Sequence, residues 1–190
     1  MIIDTLRIET KRDHADLDQS LYPFISGTNS LDKYSKLLSV FYGYFKPMYQ
    51  QLDHFLNESL IPDYSKRRKP SLILMDAKNA GFDLNDDVSC NYIPSINNYN
   101  QALGAYYVLE GSTMGGTIIS KKLKDQLHIN ETALSFFKGY GENNTVMWKN
   151  FLDILNNVED NSTDSKEVIG KSKETFATFK KWINEQYGES

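Results

Sequence analysis

Two groups of residues in this sequence have the types and spacing to do chemistry. One is His14, set at helical spacing among apolar residues. The other is Gly111-Ser-Thr-Met-Gly-Gly116, with three glycines in six positions. A histidine on the buried stripe of a helix is either a satisfied core residue or a metal ligand. Each glycine inside a helix costs about 1 kcal/mol relative to alanine, so the cluster needs a compensating reason. That reason is a kink or close helix crossing, or close approach of the backbone to a ligand. The interior is also unusually aromatic, with 10 Phe and 12 Tyr. A planar apolar cofactor clasped between two helices accounts for all three features, with histidine able to ligate iron on one face.

Other chemistries fit less well. The glycine run lacks a Gly-Lys-Ser/Thr ending and follows a helical pattern, which disfavours a phosphate loop and a dinucleotide fingerprint. None of His14, His54 and His128 has Glu three residues before it, so the Glu-x-x-His pattern of a di-iron bundle is missing. His54 and His128 fall near helix ends among polar neighbours and read as structural or exposed. There is no Gly-x-Ser-x-Gly elbow, and Cys90, in a polar loop, is a poor nucleophile. Glu110, directly before the glycines, is the carboxylate of interest, whereas Asp86 and Asp87 read as loop residues.

The elements that must position these residues are helical. Ile3, Leu6, Thr10, His14, Leu17 and Leu21 follow at steps of three or four, which predicts an amphipathic helix ending near Pro23 and Gly27 with His14 in its buried stripe. Ser30 is a good N-cap for a second helix carrying Tyr34, Leu38, Phe41, Phe45, Met48 and Phe55, which Pro47 should kink or bound. A third helix is expected from Pro70 to Ala80, with Gly81 ending it. Residues 82–95 read as a polar loop. From Tyr99 to Leu127 the pattern is a helix interrupted at the glycines. Further helices follow from Thr145 to Asn157 and through Val168, Phe176, Phe179 and Ile183. No alternating strand pattern competes, so the expected fold is an all-α bundle of one domain over 1–190.

Composition narrows the classes further. With 25 acidic and 21 basic residues the net charge is −4, which gives no global attraction for nucleic acid. The basic run Lys66–Lys69 before Pro70 reads as a solvated helix entrance. One cysteine excludes an intrachain disulfide, and no apolar stretch approaches the roughly 18 residues of a membrane span. The expectation is a cytoplasmic protein with no membrane or nucleic-acid partner.

At this point the residues resemble a known family, the bacterial haem oxygenases, and in particular the branch associated with bacteriophytochromes. The resemblance lies in Leu6-Arg7-x-x-Thr10-x-x-x-His14-x-x-Leu17 and in the segment from Leu103 through Tyr107-Val-Leu-Glu-Gly-Ser-Thr-Met-Gly-Gly116. It continues in Phe137-x-x-Tyr140-Gly141, Met147-Trp148-x-x-Phe151 and Ala177-x-x-Phe-x-x-Trp182. Residues 20–98 match only in helical character.

The resemblance implies a haem oxygenase fold with a kinked, Gly-rich distal helix. Haem would be both cofactor and substrate, held between His14 as axial iron ligand and a distal wall of Gly111, Ser112, Gly115 and Gly116. It implies oxygen-dependent opening of the ring to biliverdin, with release of carbon monoxide and iron. An external ferredoxin-like or flavoprotein donor would supply electrons, and a bilin-accepting phytochrome would be a downstream partner. Arg7, seven residues before His14 and so on its face, is the best propionate partner, with Lys149 the weaker one. Tyr106 and Thr113 are candidate pocket residues. Animal-type members carry an Asp that organises distal water, and aligning the glycine pairs puts Ser112 at that place. Gly111 and Ser112 are therefore the expected holders of an ordered catalytic water. The alternative is a haem-binding sensor or carrier without turnover.

Overall fold

The computed structural model describes residues 1–85 and 87–188, so Asp86 of the expected loop lies outside the described residues. Among those described there are seven α-helices and no strand: α1 (Ile2–Gly27), α2 (Leu31–Leu52), α3 (Ser71–Asn79), α4 (Tyr99–Leu127), α5 (Ser135–Lys138), α6 (Asn144–Leu155) and α7 (Thr163–Gly188). None is long and apolar enough to cross a membrane.

The period read for α1 holds. Leu6, Thr10, Leu17, Leu21 and Ile25 are buried, and the Thr10 hydroxyl donates back to the Leu6 carbonyl at 2.7 Å. Ser30 caps α2 by accepting from the Lys33 amide. Both α1 and α4 pack mainly on α7 and touch each other little. Two helices leaning on a third without closing on one another leave a gap between them, and the candidate site is built in that gap.

Three expectations about the elements are corrected. First, α4 runs as one helix through Gly111–Gly116 without the expected interruption. Gly116 has its reason in packing, since a Cβ there would lie 2.1 Å from the Phe137 carbonyl oxygen of α5. Second, of the two expectations for Pro47, kink or boundary, the boundary does not hold, because α2 continues to Leu52. A proline at 47 has no N–H for the carbonyl four residues earlier, and that carbonyl, on Gly43, accepts instead from the Cys90 amide at 2.9 Å. Gly43 also admits the incoming chain, because a Cβ there would stand 2.8 Å from the Val88 oxygen. The loop is therefore less polar in its surroundings than its composition suggests, and Cys90 is buried. Third, the run Lys66–Lys69 is not solvated throughout: Arg67 and Arg68 are each only 3% exposed.

Candidate functional site

A cavity of about 400 Å³ lies between α1 and α4, within the range of roughly 300–1,000 Å³ typical of small-ligand pockets. Its floor is aromatic: Phe41 and Phe45 from α2, Phe137 from α5, and Phe176 and Phe179 from α7. These rings meet mostly edge to face, with Phe41 against Phe137 at 5.1 Å and against Phe179 at 5.5 Å. A larger groove of about 640 Å³ shares Phe176 but is open and lined by charges such as the paired Lys180 and Asp16, so it offers no enclosed apolar volume.

His14 stands on the α1 wall. The expectation that it is buried is corrected: its side chain is 62% exposed. The helical register is right, but His14 falls at the mouth of the cavity that the stripe passes over, while Leu17 and Leu21 line the same cavity from buried positions and Leu6 is packed away from it. Its ring meets Phe176 edge-on at 5.7 Å, and its Nδ1 lies 3.1 Å from Asp18 Oδ2, one turn along the helix. The Asp18 hydrogen bond raises the His14 pKa, partial burial opposes it, and the Asp18 charge adds to the rise. With Nδ1–H directed to a carboxylate, the ring is fixed in one tautomer with its Nε2 lone pair available, the arrangement that metal-ligating histidines use. The donor set therefore fits a single iron-binding imidazole.

The opposite wall is α4, contributing Tyr107, Val108, Leu109, Gly111, Ser112, Met114, Gly115 and Ile119. A Cβ on Gly111 would press the Trp148 indole at 3.3 Å, while one on Gly115 would meet nothing within 4 Å. The missing side chains thus leave the helix backbone itself as the wall. Ser112 accepts from Arg68 Nη2 at 2.6 Å and donates its own proton to the Leu109 carbonyl at 2.6 Å.

Behind this wall two adjacent arginines have different electrostatic fates. Arg67 is neutralised: it reaches Asp63 at 2.7 Å and the buried Glu110 at 2.7 Å. Glu110 also accepts from Tyr106 at 3.2 Å and from Tyr140 at 2.9 Å. Arg68 lines the cavity and has no carboxylate partner among the described residues. Its guanidinium donates only to Ser112 and to the carbonyls of Leu109 and Phe136, it lies over the Phe136 ring at 4.4 Å, and its Nε has no partner.

Of the residues singled out from sequence, Arg7, His14, Gly111, Ser112 and Gly115 come together around this one cavity. Three do not. Tyr106 is fully buried on the Glu110 side, and its neighbour Tyr107 lines the cavity instead. Gly116 faces Phe137, and Lys149 is exposed on α6 outside the lining, where only its neighbour Trp148 reaches in. Thr113 is also buried away from the cavity, donating to the Glu110 carbonyl. Sequence reasoning missed Asp18, although its spacing of four from His14 was readable. It also missed Arg68, whose place in a basic run pointed to solvent.

Residues 87–185, just over half the chain, match the family model described as heme oxygenase. Among solved structures, the heme oxygenase from Neisseria meningitidis, described in NO- and CO-bound crystal structures, superposes with a TM-score of 0.70. The superposition covers 99% of this chain and 92% of that one at 20% identity, a likeness of fold. No curated protein sequence matches the chain.

Proposed function

Because this chain belongs to the haem oxygenase family, we propose that it holds haem in the cavity between α1 and α4 and opens the porphyrin ring with molecular oxygen. The products on this reading are biliverdin, carbon monoxide and iron. The observation that carries it is the pairing of His14 with Asp18 on one wall, facing a wall of bare helix backbone at Gly111 and Gly115 across an aromatic floor. Bound haem supplies the iron at which oxygen is reduced, and its own ring is the part transformed.

The chain's residues supply position and exclusion. Asp18 holds the His14 ring in the orientation that presents Nε2. The glycines let α4 approach the flat face of the substrate closely, while Phe41, Phe45, Phe176 and Phe179 keep water from the other contacts. Arg7, at the cavity edge, is the candidate partner for a carboxylate on the substrate rim.

A second reading, a haem-binding sensor or carrier, is favoured by one observation. Among the described residues the only carboxylate lining the cavity is Asp18, beside His14, so no acidic side chain lines it from the α4 wall. The same departure at Ser112 is the reason for preferring the bacteriophytochrome-associated branch, with a ferredoxin-like or flavoprotein electron donor, a bilin-accepting phytochrome downstream and a cytoplasmic setting.

Aerobic haem titration followed by addition of a reductant, with products separated by chromatography, tests the proposal. Biliverdin with carbon monoxide is the expected result. Haem that remains bound and intact selects the sensor reading, and no haem absorption band at all overturns both. His14→Ala is expected to abolish the axial-ligand signature in the resonance Raman spectrum.

A further inference from the structure

We propose that Arg68 makes the α4 side of the cavity a binding site for a small anion, taking the electrostatic role that a carboxylate-organised water would otherwise hold. The inference rests on the haem reading above and adds a residue that the sequence motifs do not indicate.

A buried cation is costly unless it is paired, and Arg67, one residue away, follows that rule with Asp63 and Glu110. Arg68 breaks it. It is 3% exposed, lines the cavity, and donates only to neutral acceptors. A guanidinium carries five N–H donors, and the three hydrogen bonds here leave two unused: Nε–H, which is buried with no surface open to the cavity, and one Nη1 hydrogen, the donor left for a ligand. The positive charge therefore borders a mainly aromatic space and, among the described residues, is met by neutral acceptors and ring faces but by no carboxylate.

Flexibility does not explain the arrangement, because the backbone is pinned on both sides. The Arg68 amide donates to the Tyr140 hydroxyl at 2.8 Å, and the Tyr49 hydroxyl donates to the Arg68 carbonyl at 2.9 Å. The side chain is also clasped between the rings of Phe45 and Phe136. Ser112 cannot be the donor in its place, since its single proton goes to Leu109 while its oxygen receives Arg68. The group on this wall with both a spare proton and a charge is the guanidinium. An anion or strongly polarised oxygen ligand beside it gains a charge-assisted hydrogen bond in a site of low dielectric.

The test uses ferric haem bound to the full-length protein, with azide as the probe. Kd for azide and the midpoint of the acid–alkaline transition are read by absorption in wild type, Arg68→Met and Arg68→Lys. A charge-assisted hydrogen bond is worth tenfold or more in affinity. Arg68→Met is expected to raise the azide Kd at least about tenfold and to shift the alkaline transition to higher pH. Arg68→Lys, which keeps the charge without the fork, is expected to fall between, and it carries the test if the methionine variant fails to fold. Equal azide affinity and equal midpoints in wild type and either folded variant overturn the role of Arg68 while leaving the haem reading intact. A wild type that binds no haem overturns both.

Discussion

Replacing Glu110 by Gln is a sharp test of how the polar layer behind the cavity is held together. The substitution keeps the shape and one acceptor oxygen but removes a charge that, with its Arg67 partner, has no exposed side-chain surface. Four hydrogen-bond relationships change at once: Arg67 at 2.7 Å, Tyr106 at 3.2 Å, and Tyr140 at 2.9 and 3.1 Å to the two oxygens. Removing one partner of a buried ion pair costs about 3–5 kcal/mol, because the remaining charge stays desolvated. Asp63, on the other side of Arg67, offsets part of this, which favours the lower end. For a chain of this length each kcal/mol lowers Tm by about 2–4 °C, so a drop of roughly 6–20 °C is expected. Thermal unfolding followed by circular dichroism measures it. A fall under about 2 °C would refute the reasoning, since it would mean that Asp63 alone satisfies Arg67. Arg68→Met should cost much less than Glu110→Gln in the same assay, because no carboxylate is left behind unpaired.

The remaining expectations concern single groups. Gly116→Ala forces a methyl into the Phe137 carbonyl and should destabilise by about 1–3 kcal/mol, whereas Gly115→Ala meets nothing and should stabilise by up to about 1 kcal/mol in urea unfolding. The reverse order would show that the two glycines have been assigned the wrong roles. Asp76 accepts from the Ser135 and Phe136 amides, and burial raises its pKa from 3.8 to about 6 despite those bonds. A carboxyl with a raised folded-state pKa binds its proton more tightly when folded. Its contribution is therefore present below about pH 4 and is lost as pH rises through about 6, a swing of roughly 3 kcal/mol relative to Asp76→Asn. Parallel pH–stability curves for the two proteins would contradict this. Because Asp18 raises the His14 pKa, haem affinity should fall as the solution is acidified and His14 becomes protonated. In Asp18→Asn that fall should move to lower pH, and an unmoved midpoint in a haem titration series would argue against the pair.

The sequence was most informative where a single helix carries the information. The steps of three and four in α1 put His14 on the face that borders the cavity, and the glycines mark the stretch of α4 that lines it. What periodicity could not supply was which side of each helix meets protein and which meets the gap. For that reason the spacing reads His14 as buried, and Tyr106 reads as a pocket residue where Tyr107, one position along the helix, lines the cavity. The two arginines were illegible for a different reason. A basic run is ordinarily a solvated face, and its burial here depends on Glu110, Tyr140 and the carbonyls of Leu109 and Phe136, all more than forty positions away. Pro47 misled in the same way: its cost is local, and its compensation comes from Cys90.

That exchange at Gly43 has a measurable echo in amide hydrogen exchange. The Cys90 N–H belongs to a segment with no helix of its own, where exchange is usually fast, yet it is tied to a carbonyl of a core helix. Its proton can leave only when the segment lifts from α2, so the Cys90 amide should exchange slowly, as should that of Ile96, which donates to the Gln51 side chain of α2 at 2.9 Å. The rate at Cys90 reports how often the stretch between α3 and α4 detaches. In this way a proline that denies its helix one bond turns a connecting segment into a clasp whose opening can be timed.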